Sequence, residues 1–134
     1  MEEDCVFCRI IEGEVSANVV KETEQWIAFL DAEPVSKGHT LVVPKNHVED
    51  IHEAGDMRFM WDAMCEIANA LRDSLDPKGI NITQNNGSVA GQEVFHLHFH
   101  VTPRYDGSEV DLSYNRSDLE DGDRIAETIG SKIT

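Results

Sequence analysis

The sequence is poor in positive charge. Against 26 aspartates and glutamates it sets only 11 lysines and arginines, giving a formal net charge of −15 and a pI near 4.5. That balance excludes general attraction to DNA, RNA or an anionic membrane, because each would be repelled before a specific contact formed. Long apolar runs are also missing: no window approaches the roughly 18 residues a bilayer span needs. The N-terminus, Met1-Glu2-Glu3-Asp4, is acidic where a secretory signal would be basic, so the expectation is a cytoplasmic protein with neither nucleic-acid nor membrane partner. Cysteine is scarce, with Cys5, Cys8 and Cys65 an odd set that does not read as a disulfide framework. Proline is scarce too, at 4 residues, while 40% of the chain is hydrophobic, which argues for a packed core rather than a disordered acidic chain. No repeat, low-complexity stretch or Gly/Ser/Pro-rich linker divides the 134 residues, and one domain over 1–134 is expected.

Val19-Val20-Lys21, Trp26 to Leu30 and Thr40 to Val43 read as short strands by their β-branched and aromatic content, with Pro34 to Gly38 a loop. The spacing predicts a helix from Asp56 to Leu75, where Met57, Met60, Trp61, Met64, Ile67, Ala68, Leu71 and Leu75 recur at three- and four-residue steps. Asp56 can cap its start, and Asp76-Pro77-Lys78-Gly79 ends it. Cys65 lies beside this stripe and reads as a small buried hydrophobe. Gly79 to Thr83 alternates as a strand, Asn85 to Gly91 is a polar loop, and Phe95 to Thr102 reads as a final strand. The tail from Ser117 to Ile133 holds a short helix carrying Leu119, Ile125 and Ile129. The order β-β-β-α-β-β argues for an α+β domain, a largely antiparallel sheet with one main helix on a face and a short C-terminal helix.

The chemistry concentrates in Phe95-His96-Leu97-His98-Phe99-His100-Val101. On a strand, alternate side chains share a face, so the three histidines line one side at roughly 6.6 Å intervals and the apolar residues the other. Adjacent rings at that spacing can serve one small ligand. Two chemistries fit: the imidazoles bind a catalytic metal, or a neutral imidazole attacks phosphorus and forms a phosphoramidate that water later cleaves. The loop Asn85-Asn86-Gly87-Ser88-Val89-Ala90-Gly91-Gln92 offers backbone N–H groups and amide side chains suited to a phosphate. It favours phosphoryl chemistry.

With these residues in view, the chain resembles the histidine-triad (HIT) superfamily of nucleotide hydrolases and transferases. The family motif His-φ-His-φ-His-φ-φ, φ being apolar, matches residues 96–102 except that Thr102 closes it. The likeness extends through Cys5 to Glu14, Ala28-Phe29-Leu30-Asp31 and Pro34 to His47. It implies a HIT-like fold and a hydrolase acting at the α-phosphate of a purine nucleotide derivative, such as an adenosine 5′-phosphoramidate or a dinucleoside polyphosphate. By the same resemblance His98 is the nucleophile, His100 contacts the phosphate oxygens and His39 joins their cluster. Gln92 and Asn85 match phosphate-contacting positions, Asp31 the acceptor of the ribose hydroxyls, and Phe7, Ile10 and Phe29 the pocket around the base. Glu93 departs from the serine or threonine that family branches carry to assist the leaving group. A carboxylate there either donates a proton to the leaving group or faces solvent. Relatives form twofold dimers through the helix and an adjoining strand, so a homodimer covering part of the Met60, Trp61 and Met64 stripe is expected.

Cys5-x-x-Cys8 with His47 and His96 supplies a Cys₂His₂ set suited to structural zinc, and some family members place zinc on such a set. Zinc there would tie the N-terminal segment 5–8 to the motif and withdraw His96 from catalysis. The competing readings are a thioredoxin-like redox pair, disfavoured because no strand precedes Cys5 and Arg9 to Glu12 shows no clear helix, and a pair of free thiols. His52 reads as a surface residue. Two further functional classes stand beside the hydrolase: a metal-dependent hydrolase using His96, His98 and His100 as ligands, and a nucleotide-binding adaptor with little turnover. The dispersed acidic excess resembles the solubility strategy of proteins from high-salt cytoplasm, where screening suppresses self-repulsion.

Overall fold

The computed structural model describes residues 4–107 and 116–133. Its elements, in chain order, are α1 (Val6–Ile11), β1 (Val19–Glu22), β2 (Trp26–Leu30), β3 (Thr40–Pro44), α2 (Phe59–Leu75), β4 (Gly79–Thr83), a 3₁₀ turn at Ser88–Ala90, β5 (Phe99–Arg104) and α3 (Gly122–Gly130). The strands make one antiparallel sheet in the order β1-β2-β3-β5-β4. This is the α+β architecture expected, with main helix and short C-terminal helix in place.

The continuous apolar runs of β2 and β3 follow from burial on both faces. On one face Trp26, Ala28, Val42 and Val101 pack against Met60, Ala63, Ile67 and Leu71 of α2. On the other, Ile27, Phe29, Leu41 and Val43 pack against Cys5, Phe7 and Cys8 of the N-terminal segment. Each large side chain so enclosed contributes about 1.5–3 kcal/mol, so β2 and β3 are fixed from both sides. The edge strand β1 is exposed along its length. His100 pairs with Leu41 across β3 and β5, which sets it on the N-terminal face, opposite α2. The candidate site is built there.

Several local expectations change. The main helix starts at Phe59 rather than Asp56; the Asp56 carboxylate instead accepts the Arg58 backbone N–H at 3.2 Å and its guanidinium at 2.8 Å. Asp76, in the left-handed region at φ 51°, closes the helix by donating its N–H to the Arg72 carbonyl. Within the helical stripe Met60 is buried against the chain's own sheet and Met64 is buried as well, whereas Trp61 is 65% exposed, so of these three only the tryptophan remains for a partner to cover. Cys65 is half-buried. Residues Val6–Ile11 do form a helix, capped by the Cys5 sulfur accepting the Cys8 N–H at 3.3 Å. The tail helix is confined to Gly122–Gly130, leaving Leu119 outside it and Ile125 and Ile129 exposed on it.

The largest change concerns the motif. Strand β5 begins at Phe99, and residues 91–98 follow an irregular path. Leu97 donates its N–H to the Val48 carbonyl at 2.7 Å, a bond outside the sheet ladder, and Phe95 is 47% exposed while Leu97 and Val101 are buried. Local alternation reads as a strand; tertiary hydrogen bonding takes the backbone elsewhere.

Candidate active site and metal site

The three motif imidazoles all lie on the N-terminal side of the sheet but do not serve one site. The His96 ring is fully buried and turned toward the cysteines, with Nδ1 3.4 Å from Cys5 Sγ, 3.5 Å from Cys8 Sγ and 3.1 Å from His47 Nδ1. Cys8 Sγ lies 3.2 Å from His47 Nδ1. His98 and His100 instead line a cavity of about 660 Å³ on the same side of the sheet, their ring centroids 5.0 Å apart. The metal-hydrolase reading with His96, His98 and His100 as ligands is thereby corrected: the chain separates the first ring from the other two.

The Cys5, Cys8, His47 and His96 ligand atoms all lie within 4.8 Å of one another. A tetrahedral ion bonded at about 2.3 Å to sulfur and about 2.0 Å to nitrogen has ligand–ligand edges of roughly 3.3–3.7 Å, close to the separations just given. His96 Nε2–H donates to the Pro44 carbonyl at 2.8 Å, which leaves Nδ1 as a lone pair aimed at the thiols, the second contact that orients a ligating imidazole. Burial holds His96 far below the ordinary imidazole value, at about 4, so it is neutral and able to ligate. Burial, with Cys8 beside it, pushes the Cys5 thiol up, so a cation in the site is what would favour its thiolate. The residues fit a metal ion, and zinc best by donor type.

In the cavity, hydrogen bonds fix the tautomers in sequence. His98 Nδ1–H donates to the His96 carbonyl at 2.7 Å, which leaves Nε2 as an unprotonated lone pair. His39 Nδ1 accepts the Val35 N–H at 3.1 Å, so neutral His39 carries its proton on Nε2. That Nε2–H donates to His100 Nδ1 at 2.9 Å, and His100 therefore carries its own proton on Nε2. One lone pair and one N–H donor result on adjacent rings. Burial is the largest influence on His39, His98 and His100 and lowers each below the ordinary imidazole value. Asp31 opposes this in all three, with one oxygen 3.6 Å from His39 Nε2. Asp31, His39 and His100 also form a group with ligand atoms close together, but the His39–His100 hydrogen bond accounts for their approach.

The other expected residues fall on both sides of the reading. Phe7, Ile10, Phe29, Asp31 and Asn85 line the cavity. Phe7 stands edge-on to His98 at 5.0 Å and to Phe29 at 5.5 Å between centroids, serving as core and cavity wall together. Gln92 does not line it. Its side chain is 3% exposed, accepting from Gly87 N–H at 2.8 Å and donating to the carbonyls of Glu49 at 2.7 Å and Val94 at 3.1 Å. Both amide hydrogens are engaged, so Gln92 shapes the 87–94 loop, and a phosphate contact from it would require giving up those bonds. His52 is exposed, as expected. Sequence reading did not identify which backbone groups set the tautomers, those of Val35, Pro44 and His96, because main-chain atoms leave no signature in residue type.

A buried apolar wall, a neutral imidazole with a free lone pair and a neighbouring N–H donor make an arrangement able to support nucleophilic attack on a small electrophile bearing anionic oxygens. Comparison with known proteins narrows it. Residues 12–107 match the HIT domain, and the chain belongs to that family. It is 48% identical over 105 residues to Protein hit of Bacillus subtilis (strain 168), covering 77% of this chain and 72% of that one. It is 42% identical over 102 residues to the adenosine 5′-monophosphoramidase HNT1 of Saccharomyces cerevisiae, over 76% of this chain and 63% of that one. Among solved structures, a HIT family protein from Bacillus anthracis superposes with TM-score 0.90 at 36% identity over 100% of both chains. A Zn-bound histidine triad family protein from Mycobacterium smegmatis does so with TM-score 0.68 at 33% identity over 98% of each. The fold is therefore the HIT fold. Among the described residues no helix is long and apolar enough to cross a membrane.

Proposed function

We propose that this chain hydrolyses nucleoside 5′-phosphate derivatives at the α-phosphorus through a covalent nucleotidyl intermediate on His98, with purine nucleoside phosphoramidates or dinucleoside polyphosphates as substrates. The observation that carries it is the pair of tautomers: Nδ1–H of His98 tied to the His96 carbonyl at 2.7 Å and His100 Nδ1 accepting from His39 at 2.9 Å. The His98 Nε2 lone pair attacks phosphorus while His100 Nε2–H stabilises a non-bridging oxygen. For a phosphoramidate, the P–N bond breaks and its electron pair leaves with the nitrogen, which departs as an amine after taking a proton from solvent. Water then attacks phosphorus, loses a proton to solvent and returns the electron pair of the P–Nε2 bond to His98, releasing the nucleoside monophosphate. Phe7, Ile10 and Phe29 hold the base and Asp31 accepts the ribose hydroxyls, while Asn85 lies beside the phosphate. The yeast relative named as a monophosphoramidase supports the reading.

Zinc on Cys5, Cys8, His47 and His96 would serve as a cross-link between α1 and the motif, and the zinc-bound relative supports that assignment. The chain's exposed Trp61 and the edge position of β4, where Ile82 is 45% exposed, support a homodimer.

The test is turnover of adenosine 5′-phosphoramidate and diadenosine tetraphosphate by wild-type and His98→Ala protein, before and after chelation. Wild type should turn over and, when quenched in alkaline denaturant, which preserves the P–N bond, carry one nucleoside monophosphoryl group on His98. Full activity in the variant would overturn the nucleophile. Loss on chelation that metal restores, with the fold intact, would shift the reaction to metal chemistry, and tight binding without turnover would make the protein an adaptor.

A further inference from the structure

Glu93, which departs from the family pattern just ahead of the motif, also occupies a distinctive place. Glu93 lines the nucleotide cavity together with His98 and His100, and it lines a second cavity of about 720 Å³ shared at Val6, Glu93 and Val94. The first cavity contains the carboxylates of Asp31, Glu33 and Glu93, and among the described residues no lysine or arginine lines it. Residues 1–3, 108–115 and 134 contain neither lysine nor arginine. Arg104, whose charge acts on His39, donates to Asn81 Oδ1 at 3.0 Å and does not line the cavity. A site that must receive a phosphoryl group thus lacks any fixed cation with which to receive a second or third phosphate.

Geometry decides where the rest of the substrate goes. Attack at phosphorus is in line, so the leaving atom departs opposite His98 Nε2. The apolar wall of Phe7, Ile10 and Phe29 is taken up by the base, and Asn85, Gly91 and Glu93 also line the cavity. A leaving group directed past Glu93 would approach the second cavity, which shares Val6, Glu93 and Val94 with the first and where Asp4, Glu49 and Glu53 add further carboxylates beside the apolar Phe95. A departing nucleoside polyphosphate would be repelled along this route, and an amine attracted, the more so if it carries a second, protonated amino group.

We infer that Glu93 is a specificity-determining residue that selects amine leaving groups, and cationic ones above neutral, over nucleoside polyphosphates. The inference rests on the phosphoryl-transfer reading and narrows its substrate class to phosphoramidates.

The experiment compares kcat/KM for three substrates: adenosine 5′-phosphoramidate, the phosphoramidate joining adenosine 5′-monophosphate to 1,4-diaminobutane, and diadenosine tetraphosphate. Wild type should rank the diamine derivative first and the tetraphosphate last. Glu93→Gln should reduce the ratio of diamine derivative to tetraphosphate by about tenfold, and Glu93→Lys by more, with the effect shrinking in 1 M KCl. A ratio within about threefold of wild type in both variants would overturn the inference, as would a wild-type preference for the tetraphosphate. Calorimetric binding of the same three compounds to His98→Ala protein reads the ranking without turnover. If wild type hydrolyses none of them, the reaction proposed above fails, while the binding ratios with and without Glu93→Gln still decide whether Glu93 discriminates.

Discussion

Gly38 turns the chain at φ +93° immediately before His39, and replacing it with alanine puts the geometry of that turn to a quantitative test. An L-residue in the left-handed region costs about 1–2 kcal/mol. The added Cβ would lie 2.6 Å from Leu75 Cδ1 and 3.2 Å from Leu71 Cδ2. Leu75 is half-buried at the end of α2, so its side chain can rotate away and lose part of its packing, for about 1 kcal/mol. Reduced freedom of the unfolded chain offsets about 0.4–1 kcal/mol. The net destabilisation is about 2 kcal/mol, which for a chain of this length lowers Tm by roughly 7 °C. Urea unfolding with an unchanged m-value is the assay. Gly79→Ala is the control: Gly79 has nothing within 4 Å of its would-be Cβ, and it should stay within about 0.5 kcal/mol of wild type. If Gly38→Ala matches wild type, or Gly79→Ala costs as much, the strain argument fails.

Cys8→Ser should bring the zinc-to-protein ratio from about one to near zero in protein purified without chelator and cost about 3 kcal/mol or more of stability; a ratio already near zero in wild type would remove zinc from the account. Burial lowers His39 and His100 below the ordinary imidazole value, so both stay neutral at pH 7 and gain protons only as pH falls further. The acid limb of kcat/KM should therefore lie below about 6.5, and a limb above it would refute the tautomer chain. Trp61→Glu should convert a dimer to a monomer in sedimentation velocity, whereas a monomeric wild type would exclude the dimer. The net charge of −15 predicts a Tm that rises in molar KCl as repulsion is screened; an unchanged or falling Tm would set aside the high-salt origin.

Where a pattern in the chain answered to burial, sequence reading was accurate. The apolar runs Trp26–Leu30 and Thr40–Pro44 are strands covered on both sides, and the three- and four-residue steps of Met60, Ile67 and Leu71 mark the face of α2 that meets the sheet. Residue chemistry at distance was equally readable, since the Cys5, Cys8, His47 and His96 donors do converge. What escaped was set by main-chain hydrogen bonds. The alternation of residues 95–101 has the period of a strand, yet Val48 and Gln92 hold that segment off the ladder until Phe99. Trp61 fits the helical stripe by spacing, but it sits at the margin of the buried arc and emerges into solvent. Gln92 was assigned by motif position, which identifies its place in the chain but not the three partners its amide already has.

His96 belongs to two sites through different atoms. Its ring faces the cysteines, and its carbonyl accepts the proton that keeps His98 Nε2 bare. Phe7, held between Cys5 and Cys8, closes on His98 from the other side. The matched domain begins at residue 12, so these N-terminal contacts lie ahead of it. A chain trimmed to that boundary would keep every motif histidine while losing Phe7 and both cysteines. His98 would then stand beside an open wall, on a peptide released at its other end. For this protein residues 4–11 are as much a part of the surroundings of His98 as the motif that contains it.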